Sequence, residues 1–276
     1  MADSTPESLT PNYISGYEDL PQVYIRRSAE KDAAYLLPHL KPGMRVLDIG
    51  CGPGSISAGL AASVAPGEFH GIDMAQSQID IATSVAQEAR LSNAQFQVAD
   101  ALALPFPDDY FDAVHCNAIL VHIPDTSAIL AEIYRVLKPG GILGSRDPVF
   151  DSCFIEPDIG NLSRLYAICS AVFISNGGHP HMGKELGAKY LEAAFVDIEL
   201  TATVGSWFPP SAPGAPSTSD EFGTPLLGPP IANPAIELGL ATKEEFEQWN
   251  RDFIAWQNSP GACGGFLWGE AIGRKP

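Results

Sequence analysis

Short apolar runs alternate with amphipathic stretches from Lys41 to Ser145, a rhythm that predicts strand–helix–strand units and a parallel sheet. Residues 45–49 (RVLDI) read as the first buried strand, entered through the Lys41-Pro42-Gly43 turn. A helix over 55–64 follows and is stopped by Pro66-Gly67. Next come a strand at 68–72, a helix at 77–90 with Ala82, Val85 and Ala89 on one face, and strands at 94–98 and 111–117. Residues 127–137 form an amphipathic helix ended by Lys138-Pro139-Gly140-Gly141, and 142–146 a fifth strand. Beyond it the rhythm loosens into helices at 161–175 and 183–194, a strand at 196–204, a helix at 243–257 and a last strand at 265–272.

Between 207 and 234, prolines stand at 209, 210, 213, 216, 225, 229, 230 and 234, and the charged residues are only Asp220 and Glu221. A solvated linker would carry more charge, so this stretch is expected to be an irregular, apolar-anchored lid over a pocket.

Charge narrows the partners. The 276 residues include 33 Asp and Glu against 16 Lys and Arg, a formal charge of −17. Such a surface repels phosphate backbones and anionic lipid, which argues against nucleic acid or a membrane as partner. The five cysteines, Cys51, Cys116, Cys153, Cys169 and Cys263, are dispersed with no CxxC, so neither a disulfide framework nor a zinc site is expected. A reducing, cytoplasmic compartment is the matching expectation. The opening MADSTPESLTPNY is polar and acidic where a signal peptide would be basic and then apolar. The longest apolar stretch, near 167–174, falls far short of a bilayer span.

The densest chemical signal is Val46-Leu47-Asp48-Ile49-Gly50-Cys51-Gly52-Pro53-Gly54. Glycine at every second position lets the backbone turn sharply and approach a ligand closely. Asp48 stands inside an apolar strand, where a carboxylate requires a partner. The dinucleotide fingerprint GxGxxG needs glycine where this chain has Ser55, which counts against a nicotinamide dinucleotide and for a ligand without a pyrophosphate. Asp73 ends the second strand, 19 residues after Gly54, where a carboxylate can accept from ribose hydroxyls. Asp100 follows the third strand and could accept from an adenine amine, with Met74 and Ala101 placed to close on a purine. Singly, each aspartate reads rather as a helix cap or surface charge. Together, at successive strand ends of one sheet, they favour adenosine.

DIGCGPG, GIDM, VADAL, FDAVHCN and YRVLKPGG, in this order and spacing, resemble class I S-adenosylmethionine-dependent methyltransferases. Within them they are most similar to the group typified by ubiquinone/menaquinone-pathway C-methyltransferases and related small-molecule enzymes. The match covers residues 23–147; GKELGAKYLEAAFVDIEL and GFLWGEAIGRK resemble the later helix and last two strands more loosely. The resemblance implies an α/β, Rossmann-like fold: a seven-stranded, mostly parallel sheet with an antiparallel last strand and helices on both faces. It implies S-adenosyl-L-methionine as cofactor, with Asp48 and the loop of Gly50, Cys51, Gly52 and Gly54 at the methionine moiety. Asp73 would then hold the ribose, Asp100 the adenine, Asn117 the region of the methionine amino group, and Gln78 would lie against the adenosine. The charges agree, because a sulfonium cation is favoured by carboxylates and not by basic phosphate-binding groups. The expected layout is one domain: an N-terminal helical lid (1–40), a cofactor core (41–147), acceptor-side helices and strand (148–206), the Pro-rich lid (207–240) and a C-terminal helix and strand (241–276).

Several residues are candidates for the acceptor side. Arg146 and Asp147 end the fifth strand and read as an ion pair or as an acceptor-orienting group. His122 opens the segment after strand four, near the expected methyl position, and reads as a catalytic group or as a packed histidine. His115, within that strand, reads as a core histidine. His179 and His181 share a Gly/Pro loop; without a third ligand nearby they suggest an acceptor contact and not a metal site. Tyr13, Tyr17, Tyr24, Trp207 and Phe208 could wall an apolar pocket or simply pack the lid. The expected function is methyl transfer to an oxygen, nitrogen or carbon nucleophile of a small, fairly apolar metabolite, with a homodimer left open. The competing readings are a cofactor-binding cyclase or isomerase and a non-catalytic cofactor-sensing subunit.

Overall fold

The computed structural model describes residues 24–209 and 226–276, so Tyr13 and Tyr17 lie outside the described residues. Seven strands form one sheet: Val46–Ile49 (β1), Phe69–Asp73 (β2), Ala94–Val98 (β3), Phe111–Asn117 (β4), Leu137–Glu156 (β5), Val196–Trp207 (β6) and Cys263–Arg274 (β7). Their order is β3-β2-β1-β4-β5-β7-β6. The first five pair in parallel, and β7 runs antiparallel between β5 and β6. The order in which strands are added reverses at β1, with β2 on one side and β4 on the other. Such a switch opens a crevice at the carboxyl ends of the strands.

Alternation along the strands sorts residues onto two faces. Val46, Phe69, Ala113, Ile142 and Ile272 lie on one face, under the helices Ala29–Asp32 (α1) and Ser55–Val64 (α2). Leu47, Ile49, Val114, Cys116 and Leu143 lie on the other, beneath Thr126–Val136 (α4), Arg164–Ser175 (α5) and Met182–Glu192 (α6). The helix Gln76–Glu88 (α3) flanks β2 and β3. Burial on both faces explains why β1 reads as an almost unbroken apolar run. Asp48 is the exception within it.

Asp125 closes the start of α4 by accepting from the Ser127 and Ala128 N–H groups, both at 3.1 Å. Asp125→Ala should therefore lower stability by about 1 kcal/mol in urea unfolding, with the slope unchanged.

Two elements differ from expectation. The fifth strand does not stop at residue 146 but reaches Glu156, because β7 keeps pairing with it after a register shift between Val149 and Phe154. That support comes from residues over a hundred positions away. The Pro-rich stretch is also not wholly irregular, since Pro229–Glu237 is helical (α7). Prolines in a first turn lose only N–H groups that have no intrahelical partner. Ile231 and Ala235 then anchor α7 in the core. The helix Lys243–Gln257 (α8) follows, held by a capping box of Thr242 and Glu245. Among the described residues, no helix is long and apolar enough to cross a membrane, and no group of three or more His, Cys, Asp or Glu is placed to hold a metal ion.

Candidate active site

The glycine loop leaves β1 at Gly50, whose φ of +66° lies in the left-handed region. A Cβ there would come within 2.0 Å of Ile119 Cδ1. At Gly54, φ is +80° and a Cβ would come within 2.9 Å of the Ala82 backbone, so both positions require glycine. The loop thus turns tightly from β1 into α2 and rests on β4's exit and α3.

Asp48 finds its partners inside the protein. Its carboxylate accepts from Ser57 Oγ at 2.5 Å and lies 2.7 Å from His115 Nδ1. His115 is therefore more than core filling: it lines the cavity, and its buried Nε2 has no hydrogen-bond partner among the described residues. Asp73 braces the loop from β2. One oxygen accepts from Gly52 N–H at 3.0 Å and the other from Ala75 N–H at 3.0 Å. Between these carboxylates Cys51 is buried, and burial, with Asp48 and Asp73 adding to it, pushes its thiol well up from the usual range. It stays a neutral packing group.

The N-terminal segment closes over the end of β4. Asn117 Nδ2 donates to the Asp32 carbonyl at 3.1 Å, and its Oδ1 accepts from Arg27 at 3.3 Å. Asp32 is placed by α1, where Ser28 N–H donates to its carboxylate at 3.0 Å. Arg146 stands beside Asn117 in register and is buried between two carboxylates, Asp32 at 3.2 Å and Glu270 at 3.3 Å. Its guanidinium carbon lies 4.1 Å from the Trp268 ring centroid. Glu270 accepts in turn from Thr201 and Thr203 of β6. One polar row thus crosses the sheet from β1 to β6 on a single face.

Arg146 and Asp147, expected to be an ion pair or a joint acceptor group, are separated by strand alternation. Asp147 points to the opposite face, is fully buried and does not line the cavity. One of its oxygens accepts from Val121 N–H at 3.0 Å, and the other has no hydrogen-bond partner among the described residues. Burial raises its carboxyl to about 8, against the lowering pull of Val121 and Arg146. Val121 belongs to the 3₁₀ turn Leu120–His122, so Asp147 fixes the turn that carries His122. His122 does line the cavity, its ring 5.2 Å from that of Phe173 between centroids and tilted by 32° to it. Burial, with the field of Arg27, lowers it to about 4, so it is neutral at pH 7.

The cavity itself joins two environments. Gly50, Cys51, Gly52, Asp48 and Asn117 form one wall; Tyr166, Trp207, Phe150, Phe173 and Phe266 form the other. Tyr24 and Trp207 line it, with Tyr166 stacked on Trp207 at 6.0 Å, and Leu226 and Ile231 enter from the Pro-rich region. Phe208 is exposed and lies outside it, as does His179, whose Nε2 faces the Pro124 carbonyl at 3.4 Å. Asp73, Met74, Gln78, Asp100 and Ala101 also lie outside this lining, along the ends of β2 and β3 and the start of α3. Gln78 is buried there, and Asp100 turns one oxygen to Leu102 N–H at 2.8 Å.

Arg27, Asp32, Trp268 and Glu270 were not singled out from the sequence. Alternation in GFLWGEA puts Trp268 and Glu270 on one strand face, but only β7's antiparallel register brings that face to Arg146.

A doubly flanked sheet, an antiparallel β7 and a crevice cornered by glycines at the β1 switch define the class I methyltransferase fold. Residues 40–194 match the family model described as a methyltransferase domain. The chain belongs to that family and is an S-adenosylmethionine-dependent methyltransferase. It is similar to an uncharacterised methyltransferase of Schizosaccharomyces pombe, 28% identical over 213 residues covering 75% of this chain and 76% of that one. It is also similar to a demethylmenaquinone methyltransferase of a Geobacillus species, 31% identical over 177 residues covering 59% and 75% of the two chains. The YcgJ protein of Bacillus subtilis shares the fold with a TM-score of 0.60 at 19% identity, over 89% of this chain and 98% of that one.

Proposed function

We propose that this enzyme transfers a methyl group to an oxygen, nitrogen or carbon nucleophile of a small, largely apolar and flat acceptor. The observation that carries the reading is the single cavity shared by the glycine loop and the aromatic wall. One side suits the polar end of the cofactor, and the other suits an apolar ring system.

The residues present fit S-adenosylmethionine. The backbone of the loop lines the cavity, Asp73 ends β2 with a carboxylate that braces the loop, and His115 brings to the cavity a buried nitrogen with no hydrogen-bond partner among the described residues. Asp48 with Gly50, Cys51, Gly52 and Gly54 would hold the methionine end, Asn117 the region of its amino group and Asp73 the ribose. Asp100 would take the adenine, Met74 and Ala101 its faces, and Gln78 would lie against the adenosine. When bound, the cofactor supplies an electrophilic methyl group on a sulfonium. The chain's own part is to hold acceptor and methyl in line and to exclude water, which can supply much of the rate. Arg146 orients groups at the acceptor wall, His122 is a neutral contact there, and Asp147 acts through the turn beneath it. The lid roles of the N-terminal segment and of residues 207–240 belong to this reading, as does placement near the menaquinone-pathway C-methyltransferases, which the similarity to a demethylmenaquinone methyltransferase supports.

Calorimetry with S-adenosylmethionine, followed by mass spectrometry of a metabolite extract incubated with protein and cofactor, tests the proposal. Micromolar cofactor binding and a metabolite heavier by one CH₂ are expected. Cofactor binding with turnover but no S-adenosylhomocysteine would overturn methyl transfer.

A further inference from the structure

The cationic groups of the cavity are met unequally. Arg146 has Asp32 and Glu270, so its charge is answered within the protein. Arg27 has Asn117 Oδ1 at 3.3 Å, the Tyr24 ring at 5.0 Å and the Trp268 ring at 5.7 Å, and no carboxylate among the described residues pairs with it. Arg26 and Lys31 line the same cavity. Its two lining carboxylates are engaged elsewhere, Asp32 by Arg146 and the Ser28 N–H, Asp48 by His115 and Ser57. In a chain of net charge −17, a guanidinium answered among the described residues by ring faces and one amide oxygen is a place for an anion from outside.

We propose that the methyl acceptor is an aromatic or enolic hydroxyl compound bound as its oxyanion, the negative oxygen paired to Arg27 beside Trp268. This rests on the methyltransferase reading and names the acceptor class for that site. The position suits the chemistry. Arg27 touches Asn117 at the cofactor wall and Trp268 at the acceptor wall, so an oxygen paired to it stands between the two. The acceptor's proton leaves to solvent on binding. The oxygen's electron pair then forms the bond to the methyl carbon while the carbon–sulfur pair returns to sulfur, leaving a neutral methyl ether and a neutral thioether. No imidazole is needed as base: His122 is held neutral with little affinity for a proton, and His115 has its Nδ1 committed to Asp48. Pairing an acidic hydroxyl with a guanidinium in a low-dielectric cavity favours the ionised form by itself.

4-Nitrophenol tests this, because its phenolate absorbs visible light and its acid form does not. The probe is titrated across neutral pH with the protein, with and without S-adenosylhomocysteine. The bound probe's pKa should fall by about one unit or more, a tenfold shift toward the anion. Arg27→Gln should abolish that shift while S-adenosylhomocysteine affinity, measured by calorimetry, stays within about threefold of wild type. Arg27→Lys, which keeps the charge, should retain part of it and guards against a folding defect. The proposal is overturned if the probe fails to bind, binds with an unchanged or raised pKa, or keeps its shift in Arg27→Gln. It is equally overturned if Arg27→Gln loses S-adenosylhomocysteine binding tenfold, since Arg27 would then serve the cofactor's own carboxylate. Absence of S-adenosylhomocysteine binding in wild type with the probe's shift intact would instead sink the methyltransferase reading alone.

Discussion

Asp73→Ala should weaken S-adenosylmethionine binding by about 100-fold or more, equivalent to about 2.7 kcal/mol. The carboxylate ends β2 with each oxygen engaged by one backbone N–H, from Gly52 in the glycine loop and from Ala75 before α3. It therefore does two things at once. It sets the shape of the loop, and in the proposed function it holds the ribose. Hydrogen bonds to a charged group contribute about 1.5–3 kcal/mol each, so losing a pair to ribose hydroxyls suffices for the predicted loss. Removing the carboxylate also leaves the buried Gly52 N–H without its acceptor, so stability should drop by about 1–3 kcal/mol even without cofactor. Asp73→Asn should fall between the two, because its amide oxygen can serve only one of the N–H groups while its NH₂ opposes the other. Calorimetry with S-adenosylmethionine and thermal unfolding of the unliganded variants separate the contributions. Unchanged affinity in Asp73→Ala would remove Asp73 from the cofactor site.

The half proposed for the cofactor was far more legible in the sequence than the half proposed for the acceptor. Strand 46–49, the glycine loop, and the aspartates at 48 and 73 lie within a single β-α-β unit, where local spacing fixes what meets what. Even there, the partner of Asp48 was hidden. His115 lies 67 positions away and meets Asp48 only through the parallel register of β1 and β4. The half proposed for the acceptor depends on such distances throughout. Arg146 is paired with Glu270, 124 positions on, and with Asp32 in a four-residue helix too short to show periodicity. Arg146 and Asp147 are adjacent in sequence, and adjacency suggests a pair. In a strand it guarantees the opposite, since neighbours face different sides of the sheet. Likewise the prolines of 229–234 suggest broken structure, yet they are compatible with a helix whose apolar side is covered by α5 and the core.

Asp147 carries the second large effect, and its sign is unusual for a carboxylate. Burial raises its folded-state value to about 8, from 3.8 for an ordinary aspartate. Between those two values the folded chain holds a proton that the unfolded chain has released. Folding then takes up a proton, so stability falls as pH rises from about 4 to about 8 and levels off above. Asp147→Asn removes this dependence while keeping an oxygen for Val121 N–H, and its amide NH₂ takes the place of the protonated oxygen. The variant should match wild type near pH 4 and exceed it at pH 8 by on the order of a few kcal/mol. Because the turn carrying His122 keeps its anchor, methyl transfer should survive in the variant, whereas Asp147→Ala should lose both stability and turnover. Urea unfolding of the three proteins across this pH range decides it. Parallel curves for wild type and Asp147→Asn would mean that Asp147 is already ionised in its buried site.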